Sequence, residues 1–358
     1  MAGVTLQDVA DRAGVSLTTA SRVVNEGSRR VGPALTARVN QAVAELGYLA
    51  NLQARAVATG QSNTVGVVVH DISDPYFSSI AAGKQVYTEK PLADSLAGAL
   101  RLAAAARAAG ITHGVVQDKL FLPGMLKLQR LIREGFFGRV LSIRLEFGYW
   151  VFEGDSIAAQ RPSWNYRKED GGGIVLDMFP HWQYLLEELF GPITALYARQ
   201  ATHLPRRWDE SGLPYDVTAD DAAYALLEFA GGAFASVNSS WAVRVNRREL
   251  VELHVDGTHG SAVAGLRNCA VQHRVSTPMP VWNPDLPDPN DYLAQWTDIP
   301  DNGPVENGFK VQWELFLKAA AQGQPFAWDL AEGAKGVQLA QLALQSSQSG
   351  RRVEVPRL

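Results

Sequence analysis

Apolar positions in the first 46 residues recur every three or four places. Leu6, Val9, Ala10 and Ala13 share one helical face, Ala20, Val23 and Val24 a second, and Leu35, Val39, Ala42, Val43 and Leu46 a third. Thr5 stands where a helix cap belongs, with Asp8 three residues on as its capping-box partner. Gly14 supplies the positive φ of a tight turn, and Ser16 caps the next helix. Residues 5–25 therefore read as a helix-turn-helix, followed by a third helix over Pro33–Leu46.

Farther on the rhythm changes. Val65, Val67, Val68 and Val69 form the continuous apolar run of a buried parallel strand, and Asp74-Pro75 opens a helix over Tyr76–Ala82. A strand at 86–88, a helix at 94–109 and a strand at 111–116 make a βαβ unit. Strand-like runs follow at 139–151, 193–201, 222–229, 233–241 and 250–256, then helices at 307–322 and 330–346. The Pro/Asp-rich stretch 278–304 reads as a surface loop.

Composition narrows the classes. With 46% apolar and 20% charged residues, a chain of 358 residues is an ordinary globular protein of two or three domains. A net charge of −4 argues against nucleic acid across the whole surface, yet the first 62 residues carry six Arg against four acidic side chains. Cys269 is the single cysteine, which excludes internal disulfides and thiolate-cluster metal sites and fits a reducing cytoplasm. The remaining histidines show no ligand spacing, so no metal is expected. The amino terminus has no leader-like pattern, and no apolar stretch approaches the ~18 residues of a membrane span.

The second helix presents Leu17, Thr18, Ser21 and Arg22 outward. Arg can fork to guanine in the major groove, and Leu and Thr can touch a thymine methyl. Thr5, Ser16, Thr19, Asn25 and Arg29 suit phosphate contacts. The same helices also fit a plain three-helix bundle with solvated arginines. The segments DVADRAGVS, TASRVVN and ELGYLANLQARAVATGQSNTVGVVV together resemble the lactose-repressor (LacI) family. That resemblance implies base reading by Leu17, Thr18 and Arg22. It also implies a hinge helix over Asn51–Ala58, carrying Asn51, Ala54 and the minor-groove wedge Val57. Val57 replaces the family's usual Leu, Gly32 its usual Ser cap, and Leu35-Thr36 its usual Thr-Arg. So short a hinge helix is expected to order only on DNA beside a partner hinge.

From Lys84 onward the chain resembles a different family, the Gfo/Idh/MocA oxidoreductases, entered at the fifth strand of their Rossmann domain. The likeness rests on Glu89-Lys90-Pro91 and on GGGIVLDMFPHWQYLLEELFG, which places Asp177 and His181 four apart on one helical face. It implies a catalytic set of Lys90, Asp177 and His181, cofactor contacts from Glu89, Lys90 and Pro91, and substrate contacts from Lys119, Trp164 and Tyr166. On the residues themselves, imidazole can take a hydroxyl proton, a carboxylate one turn away can orient the ring, and an ammonium can stabilise an alkoxide.

The cofactor implied is NAD or NADP, but G-x-G-x-x-G is missing. Gly171 and Gly173 begin it, and Leu176 stands where the third Gly belongs. Strand 65–69 is expected to take the place of the dehydrogenase's own first strand. The turn after it, HDISDPYF, offers Asp71 and Asp74, which would repel a pyrophosphate.

These readings give a multi-domain chain. An all-α helix-turn-helix domain (1–50), a hinge and linker (51–63), a partial Rossmann remnant (64–118) and an α+β substrate domain with a large, mostly antiparallel sheet (119–358) are expected. The partners expected are double-stranded DNA, a sugar or polyol, and further copies of the chain, with no membrane. The leading reading is a repressor-type DNA-binding headpiece fused to an incomplete sugar dehydrogenase body. An NAD(P)-dependent sugar or polyol oxidoreductase and a non-functional fusion stand beside it.

Overall fold

The computed structural model describes residues 4–24, 31–46, 66–68, 83–151, 161–301 and 303–358. The chain divides into two compact units, 1–64 and 65–358.

The first unit holds α1 (Leu6–Ala13), α2 (Leu17–Val24) and α3 (Pro33–Leu46). Thr5 accepts the Asp8 N–H at 3.3 Å while Asp8 accepts the Thr5 N–H at 2.7 Å, the reciprocal capping box expected from the sequence. Gly14 closes α1 at φ 61°, and Ser16 Oγ accepts the Thr19 N–H at 3.2 Å to cap α2. Val9, Ala13, Val39 and Ala42 form the small core. The Arg38 guanidinium reaches across to donate to the carbonyls of Ala13 and Gly14, stapling α3 to the turn.

The second unit contains two main sheets. β1 (Gly66–Val68), β2 (Val86–Thr88) and β3 (His113–Val115) run parallel in that order. β1 pairs directly with β2, the strand that ends in Glu89-Lys90-Pro91. In a doubly wound sheet of order 3-2-1-4-5-6 the first strand never neighbours the fifth. β1 therefore fills the fourth strand's place, which corrects the sequence reading. Seventeen residues of sequence, 69–85, separate the two strands, a length that suits one crossover between adjacent parallel positions.

The larger sheet has nine strands: β4 (Val140–Gly148), β5 (Ile193–Ala201), β8 (Ala222–Phe229), β9 (Phe234–Ser240), β10 (Val251–Gly257), β11 (Gly260–Ala264), β12 (Cys269–His273), β13 (Thr297–Asp298) and β14 (Val353–Glu354). Its neighbours are antiparallel except β4 and β9, which run parallel. A two-stranded ribbon, β6 (Arg206–Trp208) and β7 (Pro214–Asp216), stands apart. Along β8, Ala223, Ala225, Leu227 and Phe229 are buried while Tyr224 and Leu226 are exposed, the alternation of a sheet with one covered face.

Among the described residues the unit also has α4 (Leu96–Ala108), α5 (Pro123–Arg133), α6 (Ile174–Phe190), α7 (Gly308–Gln322) and α8 (Leu330–Ser349). Trp182 of α6 is fully buried and donates its indole N–H to Ser239 of β9 at 2.8 Å. Leu330, Ala334 and Val337 of α8 share a core with Val86, Leu92 and the α4 residues Ala99, Leu102, Ala103 and Ala106. Residues 86–106 thus pack against the carboxyl-terminal helix α8.

The three glycines before α6 set its position. A Cβ on Gly172 would lie 2.5 Å from the carbonyl oxygens of both Trp164 and Asn165, and Gly173 sits at φ 122°. Gly172→Ala is expected to destabilise the larger unit by about 1–3 kcal/mol, the range for overpacking. A urea midpoint unchanged from wild type would show that the segment has room to spare.

Candidate active site

β2 is buried on both faces and ends at a turn that delivers Lys90, followed by a cis peptide to Pro91. The Lys90 ammonium lies 2.6 Å from Asp177 Oδ1 and donates to the Asp177 carbonyl at 2.7 Å. Asp177 Oδ2 accepts from Arg161 Nη2 at 2.8 Å, and that guanidinium also lies 4.2 Å above the Trp241 ring. Burial works to raise the Asp177 carboxyl, but the cations of Lys90 and Arg161 outweigh it and hold the group below the usual carboxylate range.

The start of α6, which carries Asp177 and His181, is held by Asp220. Asp220 accepts the Ile174 N–H through its carbonyl at 3.0 Å and the Val175 N–H through Oδ2 at 2.8 Å. It thereby supplies the cap that Gly173, lacking a side chain, does not. Burial raises the Asp220 carboxyl above its ordinary value.

His181 is 7% exposed. Its Nδ1 lies 2.7 Å from the Tyr184 hydroxyl, which donates in turn to Asp118 Oδ1 at 3.2 Å and accepts the Lys119 backbone N–H at 3.3 Å. The Lys119 ammonium closes the group, 3.1 Å from Asp118 Oδ2. Burial first, then the cations of Lys90 and Lys119, hold the imidazole well below its ordinary pKa, so the ring is a neutral base. The carboxyl of Glu89 is raised, chiefly by burial.

The expectation that Asp177 orients the His181 ring is corrected. Both Asp177 oxygens are taken by cations, and the ring's partner is Tyr184, three residues on. Tyr166 also departs from expectation. It is fully buried, with the Arg207 guanidinium 4.1 Å above its ring and Trp241 edge-on at 5.5 Å, rather than exposed in an open site. Trp164 is 41% exposed, and Lys119 is partly covered by its pairing with Asp118. Arg161, Asp118, Tyr184 and Asp220 went unread because they carry no shared spacing. Asp220-Asp221 ahead of the apolar run 222–229 was the one available signal.

In the headpiece, Leu17, Thr18 and Arg22 are exposed along α2 and Ser21 is half-buried. Thr5 is engaged in its capping box, and the Ser16 and Thr19 hydroxyls bond one another at 2.9 Å. Asn25, Arg29, Asn51, Ala54 and Val57 lie outside the described residues.

Among the described residues no His, Cys, Asp or Glu side chains gather in a group able to hold a metal ion, and no helix is long and apolar enough to cross a membrane.

The chain matches the family model of the GFO/IDH/MocA C-terminal domain over residues 125–263. It is 56% identical over 284 residues to a D-xylose dehydrogenase of Paenarthrobacter nicotinovorans, an alignment covering 78% of this chain and 73% of that one. The chain belongs to the Gfo/Idh/MocA family. Residues 5–51 match a second model, the lacI family of bacterial regulatory proteins. The maltose regulon regulatory protein MalI of Escherichia coli is 44% identical over 80 residues, 22% of this chain and 23% of the regulator, so the chain spans less than a quarter of that relative. An apo levoglucosan dehydrogenase superposes with a TM-score of 0.69 at 22% identity, covering 89% of this chain and 87% of that one, which shows a shared fold.

The dinucleotide fingerprint G-x-G-x-x-G does not occur in the sequence. The EKP segment is present, and the parallel sheet has three strands among the described residues. The arrangement retains acid–base chemistry: a buried neutral imidazole with a fixed hydrogen-bond partner, beside a clamped lysine.

The neutral burial of His181 has a pH signature. Because its folded pKa lies below the ordinary 6.5, its contribution to stability is complete above pH 6.5 and is lost as pH falls toward the folded value. Wild type is therefore expected to lose more stability than His181→Gln on going from about pH 7.5 to 5. Urea midpoints across that range read the difference, and parallel curves would contradict the assignment.

Proposed function

We propose that this protein binds double-stranded DNA through a LacI-type headpiece, and that its dehydrogenase body keeps a sugar or polyol site without a working dinucleotide site. The observation that carries the first half is α2, which offers Leu17, Thr18 and Arg22 to solvent on a helix anchored from behind by Ala20 and by the Arg38 staple at the turn. A helix so presented can enter a major groove, with Arg22 forking to guanine. The likeness to MalI supports this reading over 80 residues.

Duplexes selected from a random pool should bind with steep salt dependence. Arg22→Ala should weaken the selected sequence by about 1–3 kcal/mol and relax discrimination at one base pair. Equal loss on every sequence would remove the base-reading role.

A second reading is favoured by the 56% identity to a D-xylose dehydrogenase and by Lys90, Asp177 and His181 standing together: an NAD(P)-dependent oxidoreductase acting on a sugar such as D-xylose. Calorimetric titration of NADH and NADPH into the full chain separates the two. Silence, with no turnover of D-xylose, is the expected result. Saturable binding, with turnover that His181→Ala lowers by about 10²–10⁴-fold, would establish the second reading.

A further inference from the structure

Asp118, Tyr184 and His181 form a buried chain of hydrogen bonds. The Asp118 carboxylate accepts from the Lys119 ammonium through Oδ2 at 3.1 Å and Oδ1 at 3.5 Å. Oδ1 also accepts from the Tyr184 hydroxyl at 3.2 Å, which directs the phenolic proton to Asp118. Tyr184 Oη is then an acceptor toward everything else. It takes the Lys119 backbone N–H at 3.3 Å, and its remaining lone pair faces His181 Nδ1 at 2.7 Å. With the phenolic proton directed to Asp118, Nδ1 is the donor of the 2.7 Å contact, and the ring is the Nδ1–H tautomer.

We propose that Tyr184 and Asp118 are positioning residues that hold His181 as its Nδ1–H tautomer, leaving Nε2 as the nitrogen that accepts a substrate proton. The role given to Nε2 rests on the second reading above, with His181 as the acid–base group of an oxidoreductase, whereas the tautomer rests on the hydrogen bonds alone. When Nε2 takes a hydroxyl proton the ring becomes an imidazolium, and the Asp118 carboxylate 3.9 Å from Nδ1 is its counter-charge. The carboxylate-to-imidazole arrangement is thus provided from the end of the βαβ unit, 63 positions upstream of His181, with Tyr184 inserted between them. Asp177, one turn away on α6, serves Lys90 and Arg161 instead. All three members of the chain are enclosed, with residue exposures of 4% for Asp118, 7% for His181 and 5% for Tyr184. Water therefore does not compete for the bonds, and the tautomer preference is stronger than an exposed imidazole would show.

The test reads the ring directly and needs no turnover. The full chain is labelled with ¹⁵N-histidine, and long-range ¹H–¹⁵N correlation spectra are recorded near neutral pH, with the His181 signals identified by their loss in His181→Gln. Wild type should show Nδ1 in the protonated region and Nε2 in the unprotonated one. Tyr184→Phe keeps the ring volume but removes the acceptor, and should shift the two nitrogens toward the averaged values of a mixed tautomer. Asp118→Asn supplies an amide donor to Tyr184, freeing the phenolic proton for Nδ1, and should move the population toward Nε2–H. A wild-type ring found as Nε2–H overturns the proposal, as does an Nδ1–H ring that persists in both variants. If Tyr184→Phe fails to fold by circular dichroism, Asp118→Asn alone decides. Absence of dehydrogenase turnover would end the enzymatic reading yet leave these ring shifts unchanged, so the two failures are distinguishable.

Discussion

A lysine ammonium 2.6 Å from a carboxylate joins the two sheets of the larger unit, and the site depends on that bond. Lys90 comes from the end of the parallel strand β2, and Asp177 from the helix that packs on the nine-stranded sheet. Their side chains are 14% and 25% exposed, so each is largely withdrawn from water, and Arg161 supplies a second cation to the same carboxylate. Removing Asp177 would leave both cations without their shared carboxylate, a loss on the order of 3–5 kcal/mol where such groups are fully buried. The pair thus fixes the distance between strand end and helix, and with it the setting of His181 one turn later.

The helix itself is seated by contacts that begin outside it. Gly172 lets the chain pass against the carbonyls of Trp164 and Asn165, and Asp220 caps the first turn from the strand approach opposite. Pro180 lies against Gly336 of α8, whose Cβ would stand 3.0 Å from the Pro180 Cβ. The crossing of α6 and α8 is therefore close, and α8 carries the same tightness on to α4 through Leu330, Ala334 and Val337. The retained part of the parallel sheet is held by side chains of the carboxyl-terminal helix rather than by neighbours within its own layer alone.

Local chemistry was legible in the sequence. The capping box at Thr5 and Asp8, the left-handed Gly14, and the strands at 86–88, 193–201 and 222–229 follow from period and from residue type, and the structure has them at those positions. What stayed hidden depends on distant neighbours. Asp118 and Tyr184 are 66 positions apart, and no periodicity links them. Asp177 and His181 share a face, as their spacing says, but sharing a face does not settle which groups approach it. The place of β1 was missed for a related reason: strand order follows from crossover length, whereas the apolar run reports only that a strand exists.

The dependence of the parallel sheet on α8 sets an order in time as the chain leaves the ribosome. The headpiece closes its core with Val39 and Ala42, so it can fold once some tens of residues have emerged. Val86, Leu92 and the face of α4 wait for Leu330, Ala334 and Val337. At roughly 5–20 residues per second that interval is on the order of 15–60 s. During it, each nascent chain carries a closed amino-terminal helical core ahead of a body in which the apolar face of α4 is still uncovered.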